Sequence, residues 1–213
     1  MTGVMVAKIL MAYLLGSLSG SLLLGRWRHV DIRALGSGNA GGTNAFRTQG
    51  WRFGLSVALF DIGKGALAVW IGQRGVIDPA LALRLGMACG AGAGLGHVWP
   101  LYFGFRGGKG AATLIGALLL LWPWALLPIL AVAVLTLGIT GYVGLATILA
   151  GCSLLPLSWW FAAAAERSLW LLVSALIAGF LLFTHRSNIA RLWAGSEHRF
   201  ERARWLYRGW QRR

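Results

Sequence analysis

Three stretches of this sequence combine glycine, small polar residues and cations, a combination suited to holding phosphate. The first is Gly36-Ser37-Gly38-Asn39-Ala40-Gly41-Gly42-Thr43-Asn44, followed by Arg47. Glycine reaches left-handed backbone angles, so successive N–H groups can converge on one anion. Ser, Asn and Thr add donors, and Arg47 adds a charged fork. Gly36, Gly38 and Gly41 also match G-x-G-x-x-G, but no βαβ pattern surrounds them. The bland alternative is a flexible turn. The second stretch is Gly107-Gly108-Lys109-Gly110-Ala111-Ala112-Thr113, preceded by Gly96-His97-Val98-Trp99-Pro100. It reads as a glycine-rich basic loop opening a helix, whose N-terminus attracts anions. It is not a P-loop, because Phe103 and Gly110 stand where Gly and Ser or Thr are required. His97 alone reads as a structural histidine.

The third stretch, His185-Arg186-Ser187-Asn188-Ile189-Ala190-Arg191-Leu192, with Gly195 and Glu197, starts where an apolar run ends. On a helix, His185, Asn188 and Arg191–Leu192 fall near one face. A membrane anchor would explain the arginines but not His and Asn on that face. A further polar pair, Asp61 and Lys64, interrupts an apolar helix at i,i+3 spacing. Each charge costs about 2.5–3.5 kcal/mol at the membrane centre on insertion scales. The two can pair across one helix face, either as a structural ion pair or as support for the polar loops.

These segments need a membrane scaffold. Hydrophobic residues make up 57% of the 213 and charged residues 12%, against roughly 25% charge in a soluble domain. That excludes a water-soluble globule and a disordered chain. Apolar stretches at 4–25, 53–73, 81–103, 111–125, 127–140, 142–163 and 168–184 predict an all-α, polytopic membrane protein of about seven spans. The 111–163 region divides into three at Pro123, Pro128 and Gly138–Gly141. The first stretch is too long for a signal peptide and has its only charge, Lys8, inside it, so it reads as a retained helix. Glycine pairs such as Gly16/Gly20 and Gly92/Gly96 suit close helix packing.

The net charge of +14 would suggest nucleic acid in a soluble protein. Here the cations crowd the gaps between spans: five Arg at 26–52, Arg106 and Lys109 at 104–110, and eight Arg after 184. By the positive-inside rule they are cytoplasmic, with the N-terminus outside and the C-terminus inside. The three phosphate-suited stretches then share the cytoplasmic side, which points to a phosphorylated substrate with a lipid portion. Cys89 and Cys152 lie in apolar context without metal-ligand spacing, against a disulfide or zinc site.

At these residues the chain resembles the bacterial acyl-phosphate:glycerol-3-phosphate acyltransferases, the PlsY family. The matching segments are Gly36–Arg47, Asp61–Gly65, Gly96–Thr113 and His185–Glu197, in family order across nearly the whole chain. The resemblance implies one integral membrane domain over 1–213 with seven spans. It implies acyl transfer from acyl phosphate to the 1-hydroxyl of sn-glycerol 3-phosphate, giving lysophosphatidate and phosphate, in phospholipid synthesis. It also implies no metal, no cofactor and no direct use of acyl-CoA or acyl carrier protein. By motif, Ser37, Asn39, Gly41, Gly42, Thr43 and Asn44 resemble the family's phosphate-loop positions. Arg47, Lys109, His185 and Asn188 resemble its contacts to the substrate phosphate and glycerol. Gly42 stands where relatives usually have Ala, and Gly144 where they tend to have Ser; Thr147 keeps a second hydroxyl.

No histidine has Asp five positions later, so the His-x4-Asp base of soluble-type enzymes is absent. The resemblance implies instead that the substrate's own phosphate takes the hydroxyl proton. Two other functions compete: a phosphate-selective transporter, which could also use broken helices and buried charges, and an inactive relative, suggested by Gly144.

Overall fold

Proline, glycine and serine decide where the apolar runs start and stop. The structure, a computed structural model, describes residues 2–204. Arg208, Arg212 and Arg213 of the basic tail lie outside the described residues. All regular structure among the described residues is helical. The chain divides into two compact units, one up to Pro123 and one from Trp124.

The first unit contains α1 (Thr2–Gly16), α2 (Gly20–Trp27), α3 (Gly42–Gln49), α4 (Trp51–Gln73), α5 (Pro79–Val98) and α6 (Ala111–Leu121). The stretch 4–25, expected as one helix, is broken between Gly16 and Gly20, and its two parts are bent by 46°. Ser17 turns its hydroxyl back onto the Tyr13 carbonyl at 2.9 Å, which competes with helical bonding at the break. α5 has a clean start: Pro79 occupies the first turn and the Asp78 carboxylate accepts from Ala80 N at 3.0 Å, as an N-cap should. Helix α3 lies inside the first basic loop, where the sequence reading had only a loop.

The second unit contains α7 (Pro123–Thr140, its proline the last residue of the first unit), α8 (Val143–Cys152), α9 (Leu154–Phe161), α10 (Arg167–Thr184) and α11 (Arg186–Trp193). Of the breaks expected here, the one at Pro123 occurs and the one at Pro128 does not. Proline suits a first helical position, so Pro123 opens α7, whereas Pro128 is accommodated inside it. The break at Gly141 occurs as expected; this residue has φ +77°.

Each of the seven apolar stretches contains helix, although 4–25 is broken and 81–103 runs past the end of α5 at Val98. By length and composition four spans can cross a bilayer: α4, α7, α8 with α9, and α10. The bent α1–α2 pair makes a fifth. Helix α6 has 11 residues, about 16 Å of rise, short of a hydrocarbon core of about 30 Å.

Glycines and alanines line the closest helix contacts, and many large apolar residues face outward. A Cβ on Gly16 of α1 would collide with the Ala93 backbone of α5, and one on Gly96 with the Tyr13 carbonyl. Gly65 of α4 meets the backbone of α6 at Thr113 in the same way. Val4, Leu10, Leu59, Leu67, Trp124, Leu135, Leu172 and Leu176 are exposed. In lipid this arrangement costs nothing, and close backbone approach supplies the packing. Lys8 reaches the C-terminal end of α4, donating to Gly72 O (3.1 Å) and Arg74 O (2.6 Å). That disposes of the one charge in the first apolar run.

Candidate functional site

The loop before α3 is organised by Asn44. Its Nδ2 donates to Ile32 O (3.1 Å) and Leu35 O (2.9 Å), and its Oδ1 accepts from Ser37 N at 3.0 Å. The side chain is buried and its amide is committed to the loop backbone. Gly36 (φ +58°) and Gly38 (φ +72°) take left-handed angles, and a Cβ on Gly36 would strike Asn44 Oδ1. Gly41 is the N-cap of α3. The first turn, Gly42-Thr43-Asn44, therefore begins with N–H groups that have no partner within the helix, the usual attraction for an anion. Ser37 and Thr43 are exposed; Asn39 and Arg47 are half-buried.

The second glycine loop packs directly on the first. Gly107 N donates to Val98 O and Gly108 N to His97 O, both at 3.1 Å. A Cβ on Gly108 would collide with the His97 ring and stand 2.8 Å from the Ala40 carbonyl. Lys109 follows, half-buried, and Gly110 (φ +86°) caps α6. Arg33 ties the loops together from the other side. Its Nε and Nη2 donate to the Asp31 carboxylate at 3.0 and 2.9 Å. Its Nη1 donates to Phe103 O (3.0 Å) and Arg106 O (3.3 Å). The hydrogen bond from the Arg33 side chain holds the Asp31 carboxyl below its ordinary range.

Beneath these loops, Asp61, Lys64 and His97 form a buried cluster. Lys64 Nζ lies 2.8 Å from Asp61 Oδ1, 2.8 Å from His97 Nδ1 and 2.9 Å from Leu18 O. Asp61 Oδ1 also accepts from Gly20 N at 3.2 Å. The ion pair expected at i,i+3 is present, and it satisfies backbone groups at the α1–α2 break.

In the second unit, His185 ends α10 and Asn188 lies in α11. His185 Nδ1 is 2.9 Å from Leu181 O; a carbonyl only accepts, so this nitrogen carries a proton. Asn188 Nδ2 donates to Glu197 Oε1 at 2.6 Å, and Glu197 Oε2 accepts from Arg191 Nε at 2.6 Å. The side chain of Asn188 rests on Gly144: a Cβ there would come within 2.8 Å of Asn188 Cγ and 2.9 Å of its Cβ. Thr147 turns its hydroxyl back onto Val143 O at 2.9 Å. The chain after α11 returns to the Gly141 turn, with Phe200 N donating to Gly141 O (2.9 Å) and Arg199 Nε to Tyr142 Oη (2.5 Å).

The first unit thus holds Ser37, Asn39 and Gly41 on the first glycine loop, Gly42, Thr43, Asn44 and Arg47 on the helix α3 that follows it, and Lys109 on the second loop, which packs against the first. The second unit holds His185 and Asn188. Sequence reading missed Asp31 and Arg33, and gave Asn44 only a ligand's role. An Asp-x-Arg pair just ahead of the first glycine run was the available signal for the former.

The fold and these loops define a multi-pass helical membrane protein with paired glycine-rich, cationic loops. A family profile described as glycerol-3-phosphate acyltransferase matches residues 6–195. The chain belongs to that family. A glycerol-3-phosphate acyltransferase from Geobacter sulfurreducens is 41% identical over 192 residues, covering 89% of this chain and 94% of its own. One from Chlorobaculum parvum is 35% identical, covering 91% and 95%. The crystal structure of PlsY, an integral membrane glycerol 3-phosphate acyltransferase, in its glycerol 3-phosphate form is similar with TM-score 0.82 and 33% identity, covering 95% of this chain and 98% of that one. Its lysophosphatidic acid form gives 0.81 and 32%.

Proposed function

We propose that this protein transfers a fatty acyl group from acyl phosphate to the 1-hydroxyl of sn-glycerol 3-phosphate. The hydroxyl oxygen attacks the acyl carbon, the bond from that carbon to the phosphate oxygen breaks, and lysophosphatidate and inorganic phosphate leave. The departing phosphate takes the hydroxyl proton, so atoms and charge balance without a protein base. The observation that carries the reading is the contact of the two glycine loops at Gly108 and Ala40; Arg47 follows the first loop and Lys109 lies in the second. Two such loops suit a reaction whose donor and acceptor both bear phosphate. Membership of the acyltransferase family and the substrate and product forms of PlsY support the same assignment.

In this reading Lys109 and Arg47 neutralise phosphate charge, and Ser37, Asn39, Gly41, Gly42 and Thr43 line the cradle that Asn44 shapes. His185 and Asn188 contact glycerol phosphate. The chain acts as a single acyltransferase domain, since the family match runs through both units. The basic loops face the cytoplasm, with the N-terminus outside, on the count of cations. No metal or further cofactor takes part. The test is turnover by purified protein in excess EDTA. Acyl phosphate should be fully used and acyl-CoA not at all. Inhibition by EDTA that added metal reverses, a trapped acyl-enzyme, or uptake of unchanged substrate would refute the proposal.

A further inference from the structure

The Asp61–Lys64–His97 cluster is buried, charged and outside the cradle that the proposed reaction uses. Asp61, Lys64 and His97 are 1%, 4% and 3% exposed. Two charges in a membrane helix are retained only where something compensates them. Here the compensation is specific. An ammonium has three protons, and Lys64 has three acceptors: Asp61 Oδ1, Leu18 O and His97 Nδ1. If Lys64 donates a hydrogen bond to His97 Nδ1, that nitrogen is the lone-pair side of a neutral ring. The ring proton then sits on Nε2, the atom nearest to where a Cβ on Gly108 would stand. The Ala40 carbonyl lies at the same spot, within 2.8 Å of that position. His97 also receives Gly108 N on its own carbonyl. The imidazole is thus held from below by Lys64 and stands against both glycine loops above. Asp61 completes the chain by accepting from Gly20 N, so the α1–α2 break is fixed by the same charges.

We propose that Asp61, Lys64 and His97 are positioning residues for the two glycine loops: the pair fixes the tautomer and tilt of His97, and His97 sets the spacing of Ala40 and Gly108. This rests on the acyltransferase reading only for its activity readout. A merely structural ion pair is the competing explanation, and the two differ in one variant. Asp61→Asn leaves a buried ammonium under-compensated and should lower both thermal stability and activity. Asp61→Asn/Lys64→Met removes both charges and should recover most of the stability. If the cluster positions the loops, the double variant still has a KM for glycerol 3-phosphate raised about tenfold or more. Recovery of both stability and KM would overturn the proposal. Should the double variant not fold, His97→Gln keeps the pair; a raised KM with nearly unchanged melting supports positioning, and an unchanged KM overturns it. Thermal protection by glycerol 3-phosphate reads the loops without turnover. Protection in the unmutated protein that is lost in the variants supports positioning even if no acyl transfer occurs, whereas equal protection in all of them refutes it.

Discussion

The side chain of Asn188 occupies the space that a Cβ on residue 144 would take, with Asn188 Cγ and Nδ2 both 2.8 Å from that position. Glu197 pins the amide from the far side. Gly144 therefore sets how closely α11 approaches α8, and a larger residue must push against Asn188 Cβ as well as its flexible end. Gly144→Ser is expected to raise KM for glycerol 3-phosphate about fivefold or more. In an Asn188→Ala background the same change should cost little, a coupling of about 0.5–3 kcal/mol. A double-mutant cycle in melting and in KM checks this; additive effects would show that the two residues act separately.

Lys109→Ala and Arg47→Ala should each lose about 10- to 150-fold in activity, the loss of a charge-assisted hydrogen bond. Arg84, exposed on α5, is the control and should change little. Arg204 would be a poor control, because it pairs with Glu201 at 3.1 Å and packs on Gly141. Initial rates across glycerol 3-phosphate concentrations separate the cases. Equal, small effects at all three positions would mean that the loop charges serve topology alone.

The Asp31–Arg33 pair has a pH signature. Folding lowers the Asp31 pKa, so the pair's contribution is complete above about pH 4 and fades as the pH falls through the lowered value. Both side chains are partly exposed, and solvent screening limits the contribution to about 0.2–1 kcal/mol. Asp31→Asn should melt below the unmutated protein at pH 7, and the gap should close in acid. A gap that does not narrow as the pH is taken progressively below about 4 would count against the pair.

Gly96→Ala should be strongly destabilising, because its Cβ would be driven into the Tyr13 carbonyl and lie 2.8 Å from Ser17 N. Gly3→Ala, where nothing lies within 4 Å, should be neutral. Melting in the same detergent compares them, and overpacking of this kind costs about 1–3 kcal/mol.

Much of this was legible from residue types. Apolar runs gave the helices, and Pro123 and Gly141 gave starts and stops. The ion pair followed from the i,i+3 spacing of Asp61 and Lys64. What could not be read was which partners those charges find. Leu18 and Gly20 contribute only backbone atoms to the cluster, and backbone atoms leave no mark in a sequence. The break in the first helix is hidden for the same reason, since it depends on charges some 40 residues away. Helix α3 was missed because its polar, glycine-led sequence lacks an apolar stripe; Ala45 and Phe53 bury it against α4 instead. Asn44 looked like a ligand because amides suit both roles, and only the positions of Ile32 O and Leu35 O reveal the clamp.

The broken first helix also constrains how the chain is made. Residues 18–20 are synthesised first, yet the donor for Leu18 O and the acceptor for Gly20 N arrive only with α4, and His97 follows near the end of α5. Until then the break has backbone groups that hydrocarbon cannot satisfy. Asp61 and Lys64 likewise enter with one another as their nearest partners. The opening helices of this protein are therefore satisfied as a group, by partners from α4 and α5, and not one by one. A chain that ends before His97 still lacks one of the three acceptors of Lys64.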